Sequence, residues 1–449
     1  MHTVFSAQEF YGYALIIGIA SSMQMIWSVS DLWVVGGKST TYVAALGLVD
    51  VIFAIVTAFA YGIIDIHASQ VSKAEGRNQF VQDYPGLMLS AVLAVLISWV
   101  PVQAGGLFFV DVLTALGQSA EVLALGESNY HARTDVYVLS ILYVLIPLAL
   151  RIRGYRKLSL ILLFASFVIK LVLNANIYSV FGELADNYLE KAVVYTSAWA
   201  QLFTIVVGGA CLVAMVVSNA DRQFEFKVFR HSLIDMLIHT PKIAAWNVND
   251  FVSSAVVTLV FGRLGVDYLA AANVAAKITG LFYRVPQALS ESALVFYGYV
   301  LDKTVEDRKH TAGYSLLCSV APVLPISIVL FLCADYIIDL LSPGLAGEVK
   351  SIADFLIKVH MVVALFYVLQ HVCSQFLVGE RQTGFLLVSS LISTWFLVVP
   401  GVMLIAHAGM AGEKIIIFER LSIVLLGMIN MIFFARLLNS SRRFRISLT

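Results

Sequence analysis

Twelve separate runs of this 449-residue chain are apolar over enough length to approach or exceed a bilayer's thickness, and no motif constrains the fold as strongly. A helix needs about 20 apolar residues to cross the hydrocarbon, where no water is present to satisfy its backbone. The runs, spans 1 to 12, fall at residues 10–35, 42–67, 84–104, 134–150, 156–181, 192–217, 236–262, 266–300, 314–338, 352–378, 383–407 and 414–438. They are continuously apolar where a membrane β-barrel would alternate, so a barrel is excluded. With 60% apolar and 13% charged residues and a mean hydropathy of +0.87, too little polar surface remains for a soluble domain. Cys211, Cys318, Cys333 and Cys373 show no metal-ligand spacing and read as small buried hydrophobes. The first run lacks a basic leader and a small-residue cleavage pattern, so it reads as a retained helix.

Formal net charge is zero, which gives no footprint for nucleic acid, and the placement of the charges is what informs. Loops after even-numbered spans and the span ends bordering them, with the C-terminal tail, hold 17 Lys and Arg residues, among them Lys73, Arg77, Arg151, Arg153, Arg156, Arg308 and Arg381, against six on the opposite side. By the positive-inside rule both termini are expected in the cytoplasm.

The two halves repeat. A shift of 226 residues lays GGKSTTYVAALGLVDVIF from Gly36 over GRLGVDYLAAANVAAKIT from Gly262, and pairs Asp65 with Glu291 inside spans 2 and 8. The expected fold is therefore an all-α integral membrane protein of 12 transmembrane helices in two pseudo-symmetric six-helix lobes around a central cleft. An N-lobe over 1–217, a basic cytoplasmic linker over 218–235 and a C-lobe over 236–449 follow. Six is even, so both lobes share one membrane orientation, and rocking one against the other would expose the cleft to alternate sides.

A charged side chain at a helix centre costs about 2.5–3.5 kcal/mol on insertion scales, so each needs a partner or an aqueous cavity. Gln24, Ser28 and Asp31 form one stripe on span 1. Asp31 reads either as a proton carrier in a low-dielectric pocket, as an oxygen ligand for Na⁺, or as a buried helix–helix hydrogen-bonding group. In the C-lobe, Asn247, Asp250 and Ser254 share a face of span 7, and Lys277, Arg284 and Glu291 recur every seven residues along span 8 with Gln287 beside them. Asp250 is expected to pair with Lys277 or Arg284, either in a network lining the cleft or in a permanent structural cluster. Span 10 carries His360, Tyr367, Gln370 and His371; the histidines read as proton relays or as satisfied structural groups. Pro400 beside Gly401 is a candidate hinge in span 11. Trp27, Trp33, Trp199, Phe282 and Tyr283 suit either an aromatic pocket or packing and interfacial belts.

At VSDLWVVGG, at LRIRGYRK followed by LVLNANIYSVFG, and at FLVVPGVMLIAHAGMAG, the chain resembles the multidrug and toxic compound extrusion (MATE) family of cation-coupled exporters. The resemblance implies export driven by an inward H⁺ or Na⁺ gradient. Asp31 matches the first-helix acid of that family, Asn176 its fifth-helix asparagine and Ser197 a sixth-helix hydroxyl position, together an N-lobe cation site. Asp250 matches a seventh-helix acid of one branch. The tenth-helix acid of that branch is missing, with Tyr367 in its place and Gln370 keeping the neighbouring amide, so coupling is expected through Asp31.

No HExxH, GxSxG or P-loop motif occurs, and no extramembrane segment is long enough to carry an active site, so an enzyme and direct use of ATP are not expected. The expected function is secondary, cation-coupled antiport of small organic or drug-like compounds across a bacterial inner membrane by a monomer. It would use no cofactor and no nucleic-acid partner, with the lipid bilayer and a small-molecule substrate as its contacts. The alternative is a flippase for lipid-linked or amphipathic substrates with the same two lobes.

Overall fold

Apolar stretches that must satisfy their own backbone leave the chain one option, and the computed structural model is helical between its turns. The structure describes residues 5–36, 45–46, 49–50, 52–53, 55–115, 120–217, 225–264, 266–341, 347–409 and 412–439. The side chains of Gln24, Ser28, Asp250, Ser254 and Lys277 lie outside the described residues. The first six long helices are α1 (Ala7–Gly36), α2 (Ala58–Gly76), α3 (Phe80–Leu107), α4 (Ala120–Asp135 and Tyr137–Ile152), α5 (Arg156–Ala175) and α6 (Leu189–Val217). The second six are α7 (Phe226–Leu264), α8 (Val266–Gly298), α9 (Val305–Leu332), α10 (Gly347–Gly379), α11 (Thr383–His407) and α12 (Gly412–Asn439).

Among the described residues, seven of these helices are long and apolar enough to cross a membrane singly, and α4 is an eighth when its two segments, bent by 47°, are taken together. The four outside that set, α1, α2, α7 and α8, are two repeat pairs. They also carry Asp31, Asp65, Asp250, Lys277, Arg284 and Glu291. The repeat holds along the chain: α3 starts at Phe80 and α9 at Val305, α4 ends at Ile152 and α10 at Gly379, and α5 starts at Arg156 and α11 at Thr383, each about 226 residues apart.

Tight turns enforce antiparallel neighbours. Asn78, Gly154 and Arg381 adopt left-handed φ of 59°, 96° and 60° after α2, α4 and α10. In each turn the next residue's N–H reaches back five residues: Gln79 to the Ala74 carbonyl, Tyr155 to Leu150 and Gln382 to Leu377, at 2.8–2.9 Å. This caps the helix end and reverses the chain at once. The α8–α9 turn uses a capping box instead: the Thr304 hydroxyl accepts from the Asp307 N–H, and the Asp307 carboxylate accepts from the Thr304 N–H. Ion pairs tie these ends together, Arg153 to Glu75 at 2.8 Å in the first half and the half-buried Arg308 to Glu380 at 2.8 Å in the second, where the Tyr297 hydroxyl also donates to Glu380.

Polarity is distributed as a lipid solvent requires. Large apolar side chains such as Phe396, Leu107, Leu332 and Trp199 stand exposed, while Ser69, Ser72, Ser90, Ser98, Ser166, Thr204, Ser315 and Ser374 are buried. In hydrocarbon the hydrophobic effect does not drive helices together, so small residues and hydrogen bonds take that role.

Two compact units result, one over Ile19–Ala244 and the other joining the start of α1, through Gly18, to everything from Ala245 onward. Residues 226–235, expected as part of a linker, are the first turns of α7 and pack within the first unit. Ser232 exchanges hydrogen bonds with Gln70 and Ser90, and Gln70 donates to Asp235 at 2.8 Å. In the other unit the beginning of α1 packs by aromatic contact, with Phe5, Phe10 and Tyr13 each placing a ring 4.3–5.9 Å from that of Phe296.

Backbone contact is closest where Gly62 of α2 meets α7: a Cβ there would lie 2.8 Å from the Thr240 carbonyl oxygen and 3.1 Å from its Cα. Gly62→Ala is expected to destabilise the purified protein by about 1–3 kcal/mol, because backbone cannot yield as a side chain can. Gly313→Ala faces open space in α9 and should change stability by about 0.5 kcal/mol or less. Thermal unfolding of both variants checks the contrast.

Candidate functional site: a compensated charge inside the first unit

Asp31 sits on the face of α1 that also presents Trp27 and Val34, four residues before it and three after. Trp27 joins an apolar cluster with Tyr143, Leu163 and Ala200. Val34 packs on a second cluster containing Ile177, Val193 and Leu189. α5 and α6 repeat this layering: Lys170 lies between Leu163 and Ile177, and Thr196 between Val193 and Ala200. Three helices thus each place one polar residue in the plane between two apolar layers.

Lys170 is fully buried, and its ammonium group uses all three of its protons. It donates to Asp31 Oδ1 at 2.5 Å, to the Val193 carbonyl at 2.8 Å and to Thr196 Oγ1 at 2.7 Å. Thr196 in turn donates to Asn174 Oδ1 at 2.7 Å. The Asn174 amide gives its two protons to Asp31 Oδ1 at 2.8 Å and to Ser30 Oγ at 2.9 Å. Desolvating either ion alone would cost several kcal/mol, and only this closed set of partners makes both tolerable. The Asp31 side chain retains 21% of its exposure whereas Lys170 has none, so the pair is approached from the carboxylate side.

Of the three expected N-lobe ligands, the structure brings only Asp31 into this hydrogen-bonded group. Asn176 is exposed and turns its amide to the Val172 carbonyl of its own helix, at 2.9 Å. The amide at Asp31 belongs to Asn174. Ser197 is half-buried and bonds back only to Val193, at 3.5 Å, while the hydroxyl in the site is that of Thr196. Successive helical residues are about 100° apart, so a shift of one or two positions moves a side chain to another face. Lys170 escaped sequence reasoning, although the signal was present: past Arg156 and Lys157 at its start, it is the one base in span 5, and it stands four residues before Asn174.

In the second unit, Arg284, Gln287 and Glu291 form a chain along α8, Arg284 donating to Gln287 and Gln287 to Glu291, each at 3.0 Å. The expected pairing of Asp250 with Lys277 or Arg284 involves an Asp250 side chain outside the described residues. Asn247 is half-buried on α7, whereas Asn249 is buried and donates to Ser390 at 2.7 Å and Thr394 at 2.9 Å. That contact joins α7 to α11 as Asp31 joins α1 to α5, with neutral groups in place of charges. Thr394 belongs to a π-helical stretch, Ser393–Val398, immediately before Pro400. Such a bulge absorbs the carbonyl that proline cannot serve and often marks a working segment. On α10, Tyr367 packs its ring 4.2 Å from His371 and 4.4 Å from Tyr283, and His360 Nδ1 is satisfied by the Leu356 carbonyl. Gln370 is buried against Gly427 of α12. Glu419 and Arg420, not anticipated from the sequence, bring a further pair of charges into α12, 2.8 Å apart. Among the described residues no group of three or more His, Cys, Asp or Glu side chains converges to hold a metal.

A repeated six-helix unit with a lipid-compatible exterior and ionised groups held within it defines an integral, multi-pass membrane transporter. The MatE family profile matches residues 17–175 and 243–404, one segment in each half, and the chain belongs to that family. It is a transporter and not an enzyme. A Synechococcus sp. relative described as "Probable multidrug resistance protein NorM" is 24% identical over 413 residues, covering 86% of this chain and 84% of that protein. Among solved structures, a MATE transporter in the bent conformation superposes with a TM-score of 0.81 at 14% identity, over 96% of this chain and 95% of that one. A mutant of the Vibrio cholerae MATE transporter VcmN gives 0.80 at 15% identity over 97% and 98%. A MOP superfamily transporter from Pyrococcus furiosus gives 0.78 at 15% over 96% of both chains. At these identities the structures establish the shared fold.

Asn174→Ala removes two donated bonds and one accepted bond at the pair, and is expected to lower unfolding stability by about 1–3 kcal/mol. Asn176→Ala removes only a local bond at an exposed position and should stay within about 0.5 kcal/mol of the parent. Thermal melts of the two purified variants distinguish the faces.

Proposed function

We propose that this transporter is a secondary active exporter of small organic or drug-like compounds, working by alternating access and driven by an inward cation gradient that acts through Asp31. The observation that carries the reading is the Asp31 site. An ionised carboxylate kept between two apolar layers is costly, and in transporters such groups mark ion pathways. Its residual exposure beside a fully buried partner supports a group that is addressed from one side. The named function of the Synechococcus sp. relative supports drug-like substrates. The excess of Lys and Arg in loops after even-numbered spans supports cytoplasmic termini in a bacterial inner membrane. The closed ion-pair set within one chain supports a monomer as the working unit.

In proteoliposomes, the parent chain is expected to move a fluorescent organic cation only when a pH or sodium gradient is imposed. Asp31→Asn should reduce gradient-driven transport at least about tenfold, since a neutral amide cannot exchange charge with the gradient. Full activity of Asp31→Asn, or transport indifferent to both gradients, would contradict the coupling.

A further inference from the structure

We infer that Lys170 is the resident cation of the Asp31 site and that its ammonium excludes Na⁺ and K⁺ from it, so that export coupled through Asp31 does not use an alkali ion. This rests on the functional reading above for its consequence, though not for its test. The argument is one of occupancy and charge. Three oxygens converge on Nζ at 2.5–2.8 Å: Asp31 Oδ1 from α1, and Thr196 Oγ1 and the Val193 carbonyl from α6. A carboxylate, a hydroxyl and a carbonyl are what a hard cation takes as ligands, and here they surround a covalently attached one.

Among the described residues the neighbouring oxygens are already engaged. Asn174 Oδ1 already accepts from Thr196, and Ser30 Oγ already accepts from Asn174. Arg133, in α4, is the next charged group felt by Lys170 and is itself paired with Asp50 at 2.6 Å. With Asp31 neutralised by Lys170 and Arg133 by Asp50, an added Na⁺ would bring an uncompensated positive charge to a site where, among the described residues, no unpaired carboxylate faces it. Any exchange through Asp31 must then act on the pair itself.

The test is equilibrium binding of radioactive Na⁺ to the purified full chain in choline buffer, with unfolding temperature measured in NaCl and in choline chloride. The parent is expected to show no Asp31-dependent Na⁺ binding and equal unfolding temperatures in the two salts. Lys170→Ala opens the seat and Lys170→Gln places an oxygen in it. Each is expected to gain saturable Na⁺ binding and to unfold several degrees higher in NaCl than in choline, and Asp31→Asn added to either should abolish both effects. Na⁺ binding by the parent that Asp31→Asn removes would overturn the inference, as would folded Lys170 variants that bind no more Na⁺ than the parent. If neither variant folds, the comparison of the parent with Asp31→Asn decides alone. Failure here leaves the export reading standing, because that reading is tested by transport and not by ion binding.

Discussion

The structure depends on neutralising one carboxylate inside a membrane. Once Asp31 stands on α1 between apolar layers, it needs a cation at contact distance, hydrogen bonds to its oxygens and helices rigid enough to hold them. Lys170, Asn174 and Thr196 meet those needs from α5 and α6, and their spacing follows from helix geometry. Lys170 and Asn174 are four residues apart and share a face, while Thr196 is presented by the neighbouring helix one layer above Ala200. Without the pair, α1 would carry an uncompensated ion through the first unit.

The same economy explains the rest of the polar interior. Hydrocarbon rewards neither water-like surfaces nor unpaired backbone, and many buried serines and threonines bond to carbonyls three or four residues back, as Ser90, Ser166, Thr279 and Ser292 do. Glycine lets helices approach until backbone meets backbone, as at Gly62. The two halves solve the α1–α5 and α7–α11 contacts with different chemistry, an ion pair in the first and the Asn249 amide in the second. Among the described residues, an ion pair is seen at the first of these two contacts and neutral groups at the second.

Architecture was largely legible in the sequence because it is written in long-range averages. Each expected span overlaps one observed helix, and the 226-residue repeat reappears in helix boundaries, since hydropathy over 20 residues tolerates single-residue errors. The site was legible only in part, because which face a side chain takes changes with every residue. Asp31 stands out both by the cost of its charge within a span and by its match to the family's first-helix acid. Asn176 and Ser197 were taken from family resemblance, and the structure uses Asn174 and Thr196, one or two positions away. Lys170 was overlooked because bases were read chiefly for the side of the membrane their loops occupy, and this one lies within a span. Residues 226–235 looked like a linker because they are polar, yet polar residues also extend a helix beyond the apolar core, where Ser232 and Asp235 bond to Gln70.

The central claim, that Asp31 and Lys170 stabilise each other as an ion pair, is tested most directly by a double-mutant cycle on unfolding free energy with Asp31→Asn, Lys170→Met and the two combined. The account predicts that each single change costs about 3–5 kcal/mol by leaving its partner buried and unpaired, and that the double variant costs well below the sum, with a coupling of at least about 1.5 kcal/mol. Costs that add to within about 0.5 kcal/mol would show that the two groups do not depend on each other, and would contradict it.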